Sequence, residues 1–239
     1  MLNKAAVEIT DLVVDRGRRT VLPGLSLSIP AGSITGLLGP SGCGKTTLIR
    51  AIASIQVVRS GSVSVFGQPA GSAGNRERFA YVTKASSVYP DLTVAQNLHY
   101  FASLCGASRA AVRQVLDDVG LTDREGDLTG NLSGGQRTRV SLAAALVSDA
   151  DLYLLDEPTV GLDPVLRRDL WQMFTRIAQQ GKTLLVSSHV MDEAARCDRV
   201  LLMREGRLIG DATPDELRAQ TGHEDLEAAF LAIAERSAA

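Results

Sequence analysis

Gly39-Pro40-Ser41-Gly42-Cys43-Gly44-Lys45-Thr46-Thr47 is the stretch from which the fold is read. It satisfies G-x-x-x-x-G-K-[ST], a phosphate-binding loop that needs a strand before it and a helix after it. Ser33 to Leu38 reads as a short buried strand, and Thr47 to Ala53 reads as a helix, so both flanks are present. Glycines let successive backbone N–H groups turn inward around a phosphate, and the helix N-terminus adds its positive dipole end. Lys45 then reaches the β- and γ-phosphates as a point charge, and Thr46 offers its hydroxyl to Mg²⁺. A glycine-rich turn that matched the pattern by accident would lack this frame. The stretch predicts a nucleoside triphosphate site.

Outward from the loop, the chain reads as one domain over residues 1–239. Val7 to Val14, Leu25 to Ile29 and Ser62 to Phe66 alternate as strands and suggest an antiparallel β lobe, with Phe79 to Thr83 as a return strand. From Lys84 to Val147 the period becomes helical. Thr93 and Gln96 form a capping box before a helix carrying Leu98, Phe101 and Leu104; Ser108 opens a second helix and Gly134 a third. Leu152 to Asp156 is a near-continuous apolar run, as in a parallel strand buried on both faces. Asp163 and Pro164 start a helix with the stripe Leu166, Leu170, Phe174 and Ile177, ended by Gly181. Thr183 to Ser188 is another core strand, and Val200 to Ile209 a hairpin turning at Glu205-Gly206. Thr213-Pro214-Asp215-Glu216 opens a helical tail. The expected organisation is an α/β core with its β lobe at 1–83 and 148–210, a helical subdomain at 84–147, and a tail at 211–239.

Composition narrows the function. The formal net charge is −2, which leaves no basic footprint for nucleic acid. Three widely spaced cysteines form neither a disulfide framework nor a zinc pattern and suit a reducing compartment. Met1-Leu2-Asn3-Lys4 and the alternation after it lack the apolar core of a signal peptide. No apolar run approaches the ~18 residues of a membrane helix, so any work at a membrane calls for a second chain.

Two further groups of residues carry chemistry. Asp156 ends a buried strand, where a carboxylate is costly unless a cation such as Mg²⁺ pairs with it. Glu157 follows at once and is the candidate general base for attack of water on the γ-phosphate. Ser133, Gly134, Gly135 and Gln136 open a helix and expose free N–H groups, a second anion site on the same chain.

These motifs, with Gly161-Leu162-Asp163 and His189, stand in the order of the ATP-binding subunit of an ABC transporter. The chain resembles that family over nearly its full length. The resemblance implies a RecA-like P-loop NTPase fold and ATP hydrolysis with Mg²⁺. It implies a head-to-tail pair of copies, or a pair with a paralogous subunit, closing on two ATP molecules. Ser133 to Gln136 of one copy would face the γ-phosphate held by Lys45 of the other, and His189 would keep water and Glu157 in register. Asp163 would bridge the copies, or serve as a helix N-cap. The resemblance also implies a separate transmembrane permease, received near Val88 to Val94, and a place in the cytoplasm on the inner face of the membrane. The wording from Asp156 to Pro164 and the short tail resemble the exporter branch.

Two positions depart from the family. Lys84 stands where a glutamine usually touches Mg²⁺ and water; it contacts phosphate oxygens, leaves the metal shell to water, or points to solvent. Arg16 stands where an aromatic usually stacks on adenine; its guanidinium stacks on the base, or is a solvated loop charge. A rival reading is a nucleotide-gated switch in which Lys84 blunts hydrolysis. Another is a soluble ABC ATPase of DNA repair or translation, disfavoured by the single motif set and the short span from Lys45 to Ser133.

Overall fold

The first two alternating runs pair as an antiparallel hairpin, β1 (Ala5–Arg16) with β2 (Arg19–Pro30). Val7, Ile9, Val14, Leu25, Leu27 and Ile29 are buried while their neighbours Glu8, Ser26 and Ser28 face out, as the pleat requires. The computed structural model describes residues 4–84 and 87–236; the opening Met1-Leu2-Asn3 and the last three residues of the tail lie outside them.

From that hairpin the chain enters β3 (Ile34–Leu38), the phosphate loop and α1 (Lys45–Ile52). It returns through β4 (Ser60–Val65) and β5 (Gln68–Pro69), joined by Phe66 and Gly67, both in the left-handed region at φ 49° and 77°. Two consecutive positive φ values match the right-handed twist of a tight hairpin. The β lobe is thus a sheet in the order β2-β1-β4-β5.

After β6 (Phe79–Val82) come three helices, α2 (Val94–Cys105), α3 (Arg109–Asp118) and α4 (Gly134–Leu146). Their starts are side-chain caps. Thr93 Oγ1 accepts from the Gln96 N–H at 3.1 Å while Gln96 Oε1 accepts from the Thr93 N–H at 2.9 Å, and Ser108 Oγ accepts from the Ala111 N–H at 3.1 Å. Along α2, Leu98 and Ala102 are buried and Phe101 partly so. Leu104, expected on the buried stripe, is 68% exposed instead. It stands six positions after Leu98, about 120° round the helix, near the glycine C-cap at Gly106 with φ 70°, and lines the open groove between β6, α2 and α4.

The rest of the chain is β7 (Leu152–Asp156), α5 (Pro164–Gln179), β8 (Thr183–Ser188), β9 (Arg199–Arg204), β10 (Arg207–Ala212), α6 (Pro214–Thr221) and α7 (Leu226–Arg236). The second sheet runs β10-β9-β3-β8-β7-β6. All its pairings are parallel except β9 with β10, so β6 belongs to this sheet as its outer strand. Both faces are covered. Tyr153, Leu155, Leu184 and Val186 pack toward the helices, whereas Leu152, Leu154 and Leu185 pack toward the β lobe and α1. That is why these strands read as unbroken apolar runs. The parallel strands end at one edge, where α/β folds gather ligands.

A shared edge for four strand ends

β3 delivers the phosphate loop to that edge. Gly39 has φ 155°, and a Cβ there would stand 2.2 Å from the Met203 carbonyl oxygen, so only glycine lets the loop lie against β9. Gly44 caps α1 at φ 113° with no side-chain acceptor, and no acidic residue occupies the first turn. The helix therefore presents its early N–H groups to whatever occupies the cleft. Lys45 is buried, and its Nζ donates to the carbonyl oxygens of Gly39 at 2.6 Å and Pro40 at 3.1 Å. The ammonium is held over the loop by bonds that a phosphate would replace.

The cleft has a volume of about 610 Å³. Ser41, Gly42, Gly44, Lys45, Thr46 and Thr47 form its floor, Arg50 of α1 lies beside them, and Lys84 and Glu157 close one end. Arg16, Arg19, Thr20 and Val21 from the β1–β2 hairpin, with Glu205 and Gly206 from the β9–β10 turn, form the other. No aromatic side chain lines it among the described residues, so the guanidinium groups of Arg16 and Arg19 are the flat groups available to a base at that end. Gly39, Pro40 and Cys43 support the loop from behind.

β7 and β8 deliver the carboxylates. Asp156 is 2% exposed; its Oδ1 accepts from Ser187 Oγ at 2.7 Å, and no cation is paired with it among the described residues. A buried carboxylate without a counter-charge fits a divalent cation, to which Thr46 on the cleft floor would offer its hydroxyl. Among the described residues no group of three His, Cys, Asp or Glu side chains could hold a metal unaided, so the remaining ligands would be phosphate and water. Ser187 does a second job: its Oγ also accepts the Glu157 N–H at 2.9 Å. That bond anchors Glu157 in the left-handed region at φ 52°, which non-glycine residues adopt where the surroundings enforce it. Sequence reasoning passed over Ser187, whose two partners lie 30 and 31 positions away.

The Glu157 carboxylate is largely enclosed, with its side chain 9% exposed. Its Oε2 lies 2.7 Å from Lys84 Nζ, and its Oε1 lies 3.4 Å from Nδ1 of His189 at the end of β8. Burial pushes its carboxyl up, but the Lys84 hydrogen bond and the Lys84, His189 and Lys45 charges outweigh this and hold it below the usual range. The same contact raises the Lys84 ammonium. Lys84 stays largely solvated, with its side chain 62% exposed, yet its ammonium pairs with Glu157, a partner the sequence did not suggest: β6 ends beside β7, and Lys84 follows β6 at that edge.

The signature residues lie elsewhere. Ser133 caps α4, its Oγ accepting the Gln136 N–H at 3.3 Å while Gln136 Oε1 accepts the Ser133 N–H at 2.8 Å. Neither these residues nor Gly134 and Gly135 line the cleft. Asp163 caps α5, accepting N–H groups of Val165 at 2.9 Å and Leu166 at 3.0 Å, which is its helix-cap reading.

Comparison with known proteins adds the lineage. Residues 22–160 match the ABC transporter family model. Nod factor export ATP-binding protein I of Burkholderia orbicola is 37% identical over 223 residues, spanning 90% of this chain and 73% of that protein. A solved ATP-binding subunit of an ABC transporter superposes with a TM-score of 0.87 at 26% identity, over 96% of this chain and 99% of that one. A bacterial Atm1-family ABC exporter with ATP bound gives 0.84 at 27% identity, over 100% of this chain and 43% of that one. With likeness at this level along almost all of its length, the chain belongs to the ABC transporter family, as an ATP-binding subunit with ATPase activity.

Proposed function

We propose that this chain is the motor of a multi-subunit exporter, closing as a head-to-tail pair on ATP and driving a separate membrane-spanning permease from the cytoplasmic face. The observation that carries the reading is the division of the site. Lys45, Thr46 and Glu157 line one cleft, with Asp156 buried next to Glu157 and hydrogen-bonded to Ser187, whereas Ser133 to Gln136 open α4 outside it, so one copy holds the nucleotide and a second copy completes the enclosure. No helix among the described residues is long and apolar enough to cross a membrane, and the similarity to export proteins favours efflux.

In this reading Lys45 and the loop N–H groups bind the phosphates, and Thr46 and Asp156 hold Mg²⁺. The ion supplies charge neutralisation on the phosphate oxygens. Glu157 accepts the proton of the attacking water and His189 orients it. The permease docks at the groove of about 440 Å³ between β6, α2 and α4, lined by Phe79, Tyr81, Phe101 and Leu104. Exposed Tyr89, Tyr100 and Leu104 give it an apolar rim, the kind of patch that marks an interface. The test is steady-state turnover of the purified chain beside Glu157→Gln. Mg²⁺-dependent hydrolysis that rises more than linearly with protein concentration and is lost in the variant is expected. Turnover that survives in Glu157→Gln would remove Glu157 as the base. The switch and DNA-repair readings gain no support from the similar proteins.

A further inference from the structure

The Lys84–Glu157 contact joins two segments 73 residues apart at the reacting end of the cleft. Glu157 is enclosed and rigid: its N–H is tied to Ser187 at 2.9 Å and its backbone is locked at φ 52°. Lys84 is the opposite, with a side chain 62% exposed on the turn after β6. A flexible, solvated ammonium has therefore been drawn onto a fixed carboxylate. It sits at 2.7 Å from Oε2, while His189 Nδ1 stands 3.4 Å from Oε1.

We infer that Lys84 is a positioning residue that latches the general base, holding the Glu157 carboxylate toward the cleft and occupying the oxygen that must receive the water's proton. The inference rests on the assignment of Glu157 as base. A base works only when the proton it takes lies within hydrogen-bond reach of a free lone pair. With Oε2 bonded to an ammonium, water competes for one oxygen whose other neighbour is His189. The phosphates compete for the same ammonium, so filling the cleft loosens the Lys84–Glu157 latch without opening it fully. Lys84 thereby restrains hydrolysis in proportion to the time the latch stays closed. It belongs to the turn that leads from the sheet toward the helices, so a shift of α2 and α4 on docking would move it as well.

The consequences separate cleanly from those of a merely structural lysine. Lys84→Met keeps the length of the side chain and removes the charge. It should raise kcat by about two- to fivefold, the size expected from an exposed ion pair, and leave KM for ATP within about twofold of the wild type. Lys84→Arg should restore most of the restraint. The second readout uses no turnover. A water-soluble carbodiimide should join Lys84 to Glu157 in the nucleotide-free protein, detected by peptide mass spectrometry, and a non-hydrolysable ATP analogue with Mg²⁺ should lower the yield of the crosslink without removing it. Lys182, 3.0 Å from Asp149, is the internal control and should crosslink with or without nucleotide. A control crosslink without the Lys84–Glu157 product, or a kcat in Lys84→Met equal to or below wild type, would overturn the latch. If Glu157→Gln abolishes turnover in the same preparation, the base assignment survives that failure; if it does not, the base assignment has failed first.

Discussion

Ser187 decides more about this site than its small hydroxyl suggests. One oxygen accepts the Glu157 N–H and donates to Asp156, so it fixes the strained backbone of the candidate base and the charge behind it together. Ser187→Ala would leave a part-buried N–H and a buried carboxylate each short of a partner, a loss of about 1–3 kcal/mol. Urea unfolding should show that loss, and kcat should fall while KM for ATP holds; unchanged kcat would mean Glu157 keeps its place without the serine. At the opposite end of the cleft, Arg16 stands where stacking needs a flat group. Arg16→Tyr should tighten ATP binding by about 1 kcal/mol, the low end for aromatic stacking on a base, as read by calorimetric titration. A weaker-binding variant would show that the guanidinium serves the phosphates or ribose instead. Lys45 and Asp156 were legible because a local pattern names them. The Ser187 and Lys84 contacts were not, since each joins strands that become neighbours only in the sheet.

Elements obey the local rules where their surroundings are simple. α6 begins with the capping box that Thr213 and Glu216 announce, Glu216 Oε2 accepting the Thr213 N–H at 2.8 Å. That backbone bond, helped by the Thr213 hydroxyl, holds the Glu216 carboxyl below its usual range. A carboxyl with a folded pKa below its unfolded one stabilises the fold at pH above the unfolded value, and the effect disappears as pH falls through the folded value. Wild type should therefore exceed Glu216→Gln in denaturation midpoint at pH 7, with the gap closing below about pH 4; a gap independent of pH would refute the cap's charge as its source. α5 was harder to read. Leu170 and Phe174 are buried as its period predicts, but so are Trp171 and Met173, because the helix lies in a trough between the sheet and the helical lobe. A stripe read from one period cannot register burial on a second side. Leu104 failed in the other direction: six positions after Leu98 it has turned about 120° round the helix, off the buried face and onto the rim of the open groove beside α4.

At the scale of the molecule, the separation between the cleft and the α4 N-terminus leads to a prediction that needs no membrane partner. If each hydrolytic site takes Lys45 and Glu157 from one copy and Ser133 to Gln136 from another, two inactive variants damaged in different halves should complement each other. Lys45→Ala removes the phosphate lysine, and Ser133→Arg fills the face presented to the neighbour's nucleotide. In a mixed pair, the copy with Ser133→Arg still offers an intact loop and the copy with Lys45→Ala an intact α4 start, which makes one complete site; the second site carries both lesions. Equal mixing puts half of the pairs in this state, so turnover should recover to about a quarter of wild type in a symmetric two-copy assembly. Each variant alone should stay near background at the same total concentration, and far-ultraviolet circular dichroism should confirm that both are folded. Failure to complement, with Ser133→Arg active by itself, would place the whole site within one chain. In that case α4 would have to swing into the cleft of its own copy, breaking its packing against α2 and β6. The closely packed helical face makes that motion costly, and a second copy reaches the same geometry with both lobes intact.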